Sequence, residues 1–453
     1  MKHSENTMWQ CSWYHTTWRS WLSILVIIIF ISCHTTRQVP VLTFEQKVTE
    51  AIDTSSVLST CFTGLVIFDL EENKMIYSRN ASRYFVPASN VKLFTLYACL
   101  KTLGDSIPAL RYIENDTSLT FWGTGDPTLI HSFFPDSKVI PFLKSKAENK
   151  KLFYSDTHSD IYHYGPGWMW DDYNDYYQPE LAPFPIFGNV LRIKKDSTGS
   201  KISPELVIEK IGKKYGLKSV KRMVENNFFE FPDGLDTMVA YDQEVPYKDA
   251  ANVNIKLLEN ILNTRIGRVY TALPDTALTI YSLPLDTVCR RMMQISDNML
   301  AEHLLLVSGS ALNDSISTNK SIENITSRFL SDLPQKPVWV DGSGLSRYNL
   351  ITPQTIAQLL IKMYHEVPED KLFSLMATGG GKGTLRMLFN NEPKPYIFGK
   401  SGSMAGVYNL SGFMITASGK KWVFCFMNNN FDHPVSKVRT EVASILAKIR
   451  ELR

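Results

Sequence analysis

Apolar residues at Val91, Phe94, Leu96, Tyr97 and Leu100 follow Pro87-Ala88 and stop before Gly104. That spacing predicts an amphipathic helix starting near residue 88 and closed by a C-cap glycine. The same periodicity at Leu285, Val288, Met292 and Met293 predicts a second helix, and a third runs from 298 through 306. Runs rich in β-branched and aromatic residues, bounded by turn residues, predict strands. They form a hairpin at 63–70 and 74–79, just before the first helix, and a C-terminal meander at 396–403, 408–418 and 421–427, with Gly419-Lys420 in its last turn. A helix at about 434–452 closes the chain. Together these elements imply an antiparallel sheet assembled from both chain ends and flanked by helices, an α/β (α+β) architecture.

Candidate chemistry sits on these elements. Ser89-Asn90-Val91-Lys92 opens the first helix. Lys92 projects from the same face one turn after Ser89, so nucleophile and base can touch. The unpaired N–H groups and positive dipole end of a helix start would stabilise charge developing beside Ser89 during acyl transfer. An N-cap serine with an exposed lysine is the plainer alternative. Ser296-Asp297-Asn298 falls on the turn between the second and third helices. There Ser296 can pass a proton between Ser89, Lys92 and a leaving amine, and the Asn298 amide can hold Lys92 and a substrate carbonyl; a simple helix cap would use the same residues. Lys400-Ser401-Gly402 is expected on an edge strand facing the serine, with Gly402 admitting a substrate backbone and the Ser403 N–H as a second oxyanion donor. Alone, that tripeptide reads as a strand-end turn. None of the three motifs is specific by itself, but their order and context along one chain are.

The ordered set resembles the active-site elements of penicillin-interacting serine acyltransferases. Further stretches are similar to the D-alanyl-D-alanine carboxypeptidases of the low-molecular-mass class C penicillin-binding proteins, a group of carboxypeptidases and endopeptidases of peptidoglycan. They are Gly125-Asp126-Pro127-Thr128-Leu129, Pro166-Gly167-Trp168-Met169-Trp170-Asp171-Asp172, Ser296-Asp297-Asn298-Met299-Leu300-Ala301-Glu302, Asp341-Gly342-Ser343-Gly344-Leu345-Ser346-Arg347 and Gly383-Thr384-Leu385-Arg386. The resemblance runs from about residue 60 to 430 and implies a β-lactamase/transpeptidase-like fold with an inserted domain. It implies Ser89 as the acylated nucleophile, Lys92 as its base, and Ser296 and Asn298 as the relay and positioning pair. Lys400, Ser401, Gly402 and Ser403 become the substrate-binding strand, with Lys400 and the Ser401 hydroxyl taking the terminal carboxylate of a D-Ala-D-Ala peptide. A lysine base near neutral pH needs a lowered pKa, and burial or the Lys400 cation across the cleft is expected to lower that of Lys92. The family usually has Thr where this chain has Ser401, a change expected to alter affinity more than chemistry. Peptidoglycan stem peptides are the implied partners and β-lactams the inhibitors; no cofactor is implied.

A class A β-lactamase fits less well. Ser89 and Ser296 lie 207 positions apart, and Glu302, Glu323, Glu366, Glu369 and Glu392 lack the usual context of a deacylating glutamate. A penicillin-binding sensor or peptidoglycan-binding protein without useful turnover is the other alternative. The expected domains are a signal segment at 1–33, a catalytic domain from 41–104 and 269–453, and an insert at 105–268. Within the insert, 162–187 crowds Tyr, Trp, Pro and Phe around Asp171-Asp172; it reads as a structural loop packed against the cleft rather than a sugar-stacking surface. Compared with the family, 188–247 is short for a full third domain.

Composition bounds the rest. A chain of 453 residues, 44% hydrophobic, supports one large or two moderate domains. Its 48 basic and 45 acidic residues are interspersed, which leaves no nucleic-acid footprint. The nine histidines are scattered without H-E-x-x-H, so no metal site is expected. Lys2 and Arg19 precede an apolar run at 21–31 that ends at Ser32-Cys33, a signal peptide too short for a comfortable membrane span. Phe30-Ile31-Ser32-Cys33 resembles a loose lipoprotein box, which would make Cys33 a lipidated anchor on the periplasmic side of a bacterial envelope. Besides Cys11 and Cys33, the cysteines at 61, 99, 289 and 425 read as buried thiols, with a Cys61–Cys99 disulfide left open.

Overall fold

The computed structural model describes residues 42–134 and 138–452; the predicted signal segment, Cys33 and the tether after it lie outside the described residues. Val48–Arg453 forms one compact unit. Its main sheet has six strands, in the order Ala377–Thr378, Ile397–Met404, Val407–Ile415, Lys421–Asn429, Phe62–Asp69 and Lys74–Arg79, all antiparallel. The sheet is therefore built from both chain ends, as the strand pattern predicted, with boundaries within three residues of the expected ones. Val407–Ile415 and Lys421–Asn429 are buried along almost their whole length. In the second of them, 422–427 is accordingly a continuous apolar run instead of an alternation. Pro353–Glu366 packs on these strands and on Phe62–Asp69, and Val435–Arg450 packs on Val407–Ile415.

The serine segment departs from expectation in two ways. It begins as a 3₁₀ turn, Ala88–Val91, and continues as the α-helix Lys92–Thr102. Every residue from Lys92 to Cys99 is buried, so this is a central helix rather than an amphipathic one; helices and sheet cover it on all sides. Nor does Gly104 cap it. The helix leaves through Leu103 in an extended conformation, φ −105°, because the chain runs on into the strand Ser106–Glu114. The other two predicted helices are Leu285–Ile295 and Asn298–Asn313. A further helix, Thr318–Phe329, went unread because only Ser321 and Ile325 are buried in an otherwise polar stretch.

A second hydrophobic core, around Phe121, Tyr154, Phe184, Leu191, Phe229 and Leu258, lies between the serine helix and Leu285–Ile295 in the sequence. It is organised by a mixed sheet in the order Ile266–Arg268, Lys151–Ser155, Ser118–Gly123, Ser106–Glu114 and Leu278–Pro284. The edge strand comes from beyond residue 268. Residues 190–246 add two three-stranded sheets. The aromatic stretch 162–187 forms loops with a 3₁₀ turn at Trp170–Asn174 and another, Phe187–Asn189, at its end. It is tied to the main core by Trp168, whose Nε1 donates to Asp341 Oδ2 at 3.0 Å.

The four described cysteines are free, and Cys99 Sγ contacts the Leu304 carbonyl and accepts from Ser308 Oγ. No described helix is long and apolar enough to cross a membrane.

Leu304 is fully buried beneath the serine helix, in the core that joins it to Asn298–Asn313. Leu304→Ala should lower unfolding free energy by about 2–5 kcal/mol, read as a lower urea midpoint at unchanged m-value.

Candidate active site

Three segments converge on the Lys92 ammonium. Ser89 lies in the 3₁₀ turn, one turn ahead of Lys92, and Lys92 Nζ is 3.0 Å from Ser89 Oγ. The same nitrogen lies 2.6 Å from Asn298 Oδ1 and 2.7 Å from the Ser343 carbonyl oxygen. Three acceptors match the three donors of an ammonium group. Lys92 is fully buried, and burial lowers its pKa to about 8 against the opposing pull of the Glu302, Asp341 and Asp297 carboxylates. Of the two expected causes, burial is therefore the one that acts. The repulsion between the two lysines falls instead on Lys400, whose pKa lies well below the ordinary range through burial first and Lys92 second.

Ser296 ends the helix Leu285–Ile295 in a left-handed conformation, φ 66°. Asp297 then caps the next helix by accepting from the Leu300 N–H at 3.1 Å. This two-helix corner turns Ser296 and Asn298 inward together. The Ser296 hydroxyl accepts from Lys400 Nζ at 2.8 Å, and Asn298 Nδ2 donates to the Tyr177 carbonyl at 3.2 Å, which ties the aromatic loop to the site. Thus Ser89, Lys92 and Asn298 form one hydrogen-bonded group, and Ser296 with Lys400 another.

The strand Ile397–Met404 is not at the very edge of the sheet, but Ala377–Thr378 pairs only with Phe398 and Gly399. Residues 400–403 therefore keep an open side. Lys400 is fully buried and also donates to the Ser401 carbonyl at 2.5 Å. Ser401 Oγ donates to Thr384 Oγ1 at 2.8 Å, and Ser403 is exposed at the cleft. Packing also demands glycine at 402. A Cβ there would lie 2.7 Å from the Pro87 carbonyl oxygen and 2.9 Å from the Ser89 nitrogen, so glycine lets the strand press directly on the serine turn.

Sequence reasoning missed the structural work of two neighbours. In the 341–347 loop, Asp341 accepts from the Gly344 and Ser346 N–H groups, Asn349 Nδ2 and Trp168 Nε1. Gly344, at φ 86°, lies so close to the serine turn that a Cβ would sit 1.9 Å from the Ala88 carbonyl oxygen. Glu302, buried one turn after Asn298, accepts from the N–H groups of Gly342 and Ser343 at 2.9 and 2.7 Å. The D-G-S-G run and the four-residue step from Asn298 to Glu302 were the available signals.

These elements border a cleft of about 640 Å³ lined by Ser89, Ser296, Asn298, Thr384, Ser401 and Ser403 on one side. Met169, Asp171, Asp172, Tyr177 and Arg347 line it elsewhere. No cluster of side chains suited to a metal ion occurs among the described residues.

Comparison with known proteins bears on this arrangement. The chain is 24% identical over 444 residues to a D-alanyl-D-alanine carboxypeptidase, DacB, of Haemophilus influenzae, covering 86% of this chain and 90% of that protein. It is 25% identical over 403 residues to penicillin-sensitive carboxypeptidase A of Dictyostelium discoideum, covering 75% and 76%. The crystal structure of penicillin binding protein 4 from Haemophilus influenzae superposes with a TM-score of 0.70 at 21% identity, over 90% of this chain and 98% of that one; the two share a fold. The D-Ala-D-Ala carboxypeptidase 3 (S13) family matches residues 44–221 and 250–449, and this chain belongs to that family.

Proposed function

We propose that this protein is a serine D-Ala-D-Ala carboxypeptidase, with D,D-endopeptidase action on cross-links, that works on peptidoglycan stem peptides through a Ser89 acyl-enzyme. The observation that carries the reading is a buried lysine of lowered pKa, 3.0 Å from the hydroxyl of a serine that opens into the cleft. A neutral Lys92 takes the Ser89 proton as Oγ attacks the penultimate D-Ala carbonyl. The N–H groups of Ser89 and Ser403 are the oxyanion donors in this reading. Ser296 returns a proton to the leaving amine, and water then hydrolyses the ester.

Lys400, Ser296 and Ser401 receive the terminal carboxylate. The substrate supplies the negative charge that a buried Lys400 lacks, so its arrival favours the ammonium form. Asn298 holds Lys92 and the acyl-side carbonyl. A β-lactam carries a strained amide and a carboxylate in the same relation and would acylate Ser89; the names of two relatives, a D-alanyl-D-alanine carboxypeptidase and a penicillin-sensitive carboxypeptidase, support this assignment. Such a substrate places the protein in the cell envelope. We further propose that residues 1–33 are a lipoprotein signal and that lipidated Cys33 holds the catalytic part on the periplasmic side.

Mass spectrometry of cross-linked peptidoglycan treated with the purified protein should show loss of terminal D-Ala, dimers falling to monomers, or both. Ser89→Ala and a penicillin-treated sample should be silent; turnover by Ser89→Ala would exclude the mechanism, and folded wild type that acylates without turnover would favour a sensor.

Acylation by a fluorescent penicillin should rise with pH through a midpoint at about 8 and then level off, because the free-base fraction of Lys92 grows through that range. Lys92→Arg, which stays charged, should lose at least ~100-fold and show no such rise.

Globomycin treatment of cells should retain an unprocessed form of higher apparent mass. Unchanged mobility and unchanged membrane fractionation would count against Cys33 lipidation.

A further inference from the structure

Glu302 lies outside the three motifs, and no step of the proposed reaction uses it. It sits four residues after Asn298 on one helix, so both project from the same face. Its side chain is almost completely buried. Each oxygen accepts one backbone N–H, Gly342 at 2.9 Å and Ser343 at 2.7 Å. The carbonyl of Ser343 is one of the three acceptors around Lys92 Nζ, at 2.7 Å. The Gly342 carbonyl is held from the other side by Thr95 Oγ1 at 2.6 Å, and Thr95 lies on the same helix as Lys92.

We infer that Glu302 is a positioning residue for Ser89 acylation: it clamps the 342–343 peptide so that the Ser343 carbonyl faces Lys92, and its negative charge balances the Lys92 ammonium. This inference rests on the reading of Lys92 as the base. Two of the three oxygens around Lys92, from Asn298 and Ser343, are thereby locked to each other through one side chain.

The charged groups facing Lys92 come from three elements. Glu302 and Asp297 approach from the helix Asn298–Asn313 and its cap, Asp341 from the loop, and Lys400 from its strand. Among the carboxylates, Glu302 exerts the largest pull toward the protonated amine. Its own contacts are donors, which favours the carboxylate form, although burial and the neighbouring Asp341 push its carboxyl up to about 8.

Substitution separates charge from shape. Glu302→Gln keeps the volume, removes the charge and turns an amide N–H₂ toward a backbone N–H. The acylation rate by a fluorescent penicillin, measured from pH 5.5 to 10 in steps of about half a unit, should then show a plateau lowered roughly ten-fold. Its midpoint should move down by roughly one unit. Thr95→Val loosens the same peptide without touching a charge, so it should lower the plateau several-fold and leave the midpoint in place. A folded Glu302→Gln protein with the wild-type midpoint and plateau would overturn the inference. If that variant does not fold, Glu302→Asp decides: charge kept one methylene short should slow acylation at an unmoved midpoint, and a wild-type rate would overturn the clamp. A wild-type protein that never acylates would sink the reading of Ser89 and Lys92 itself, an outcome distinct from these.

Discussion

An amine withdrawn from water loses much of its preference for a proton, and the site is organised around how far that loss is allowed to go at Lys92. Full burial alone would make the ammonium very costly. Direct pairing with a carboxylate would fix the charge and abolish basicity. Here the atoms in contact with Nζ are neutral: a serine hydroxyl, an asparagine amide oxygen and a backbone carbonyl. The carboxylates of Glu302, Asp341 and Asp297 act from farther out. Dipoles satisfy the donors, distant charge offsets part of the burial, and the lysine is left able to give up or accept a proton near neutral pH.

Holding that balance requires backbone in unfavourable conformations. Ala88, just before the nucleophile, and Ser296, at the helix corner, both have positive φ, 46° and 66°, without being glycine. Each such residue costs on the order of 1–3 kcal/mol and persists only where its surroundings over-determine it. Around Ala88 they do: Gly344 of the loop and Gly402 of the strand press on the same turn, each at a distance that no side chain permits. Ser296 is fixed by the ends of two helices, one of which is anchored by the Asp297 cap. At the serine turn and the helix corner, the strained backbone thus lies at or beside the hydroxyl-bearing residues that must meet.

What was legible in the sequence follows from the range of the forces involved. The hairpin, meander and helices are encoded by near-neighbour patterns, so 74–79 and the start of the third helix were located closely. The grouping of Ser89, Lys92, Ser296, Asn298 and Lys400 was legible only because a family resemblance supplied the long-range pairing. Where no such pattern exists, reading failed. Lys92 and Ser343 meet across 251 positions, so nothing local could mark that carbonyl as an acceptor. The packing role of Gly402 was hidden because its tertiary neighbour, the serine turn, is invisible from 402 itself. The polar helix Thr318–Phe329 hides because its burial is limited to a serine and an isoleucine.

The large excursion between Lys92 and Ser296 raises a last physical question, since 200-odd intervening residues could easily loosen two motifs that must meet within ångströms. The chain solves this at the root of the excursion. Ser106–Glu114, which follows the serine helix, pairs antiparallel with Leu278–Pro284, which precedes the Ser296 helix, and Ser106 stands opposite Pro284. One step further in, the Leu285 N–H donates to the Asp105 carbonyl at 2.9 Å. The exit and the return are thus clasped side by side, and Val288, Cys289 and Met292 of the returning helix pack in the same core as Leu96 and Cys99 of the serine helix. Once the ends are joined, added length beyond them costs only slowly growing loop entropy. The geometry between Ser89 and Ser296 is set by that clasp and the shared core, which leaves most of the residues between 115 and 277 to shape the far walls of the cleft, with Trp168 and Tyr177 as ties back to the site.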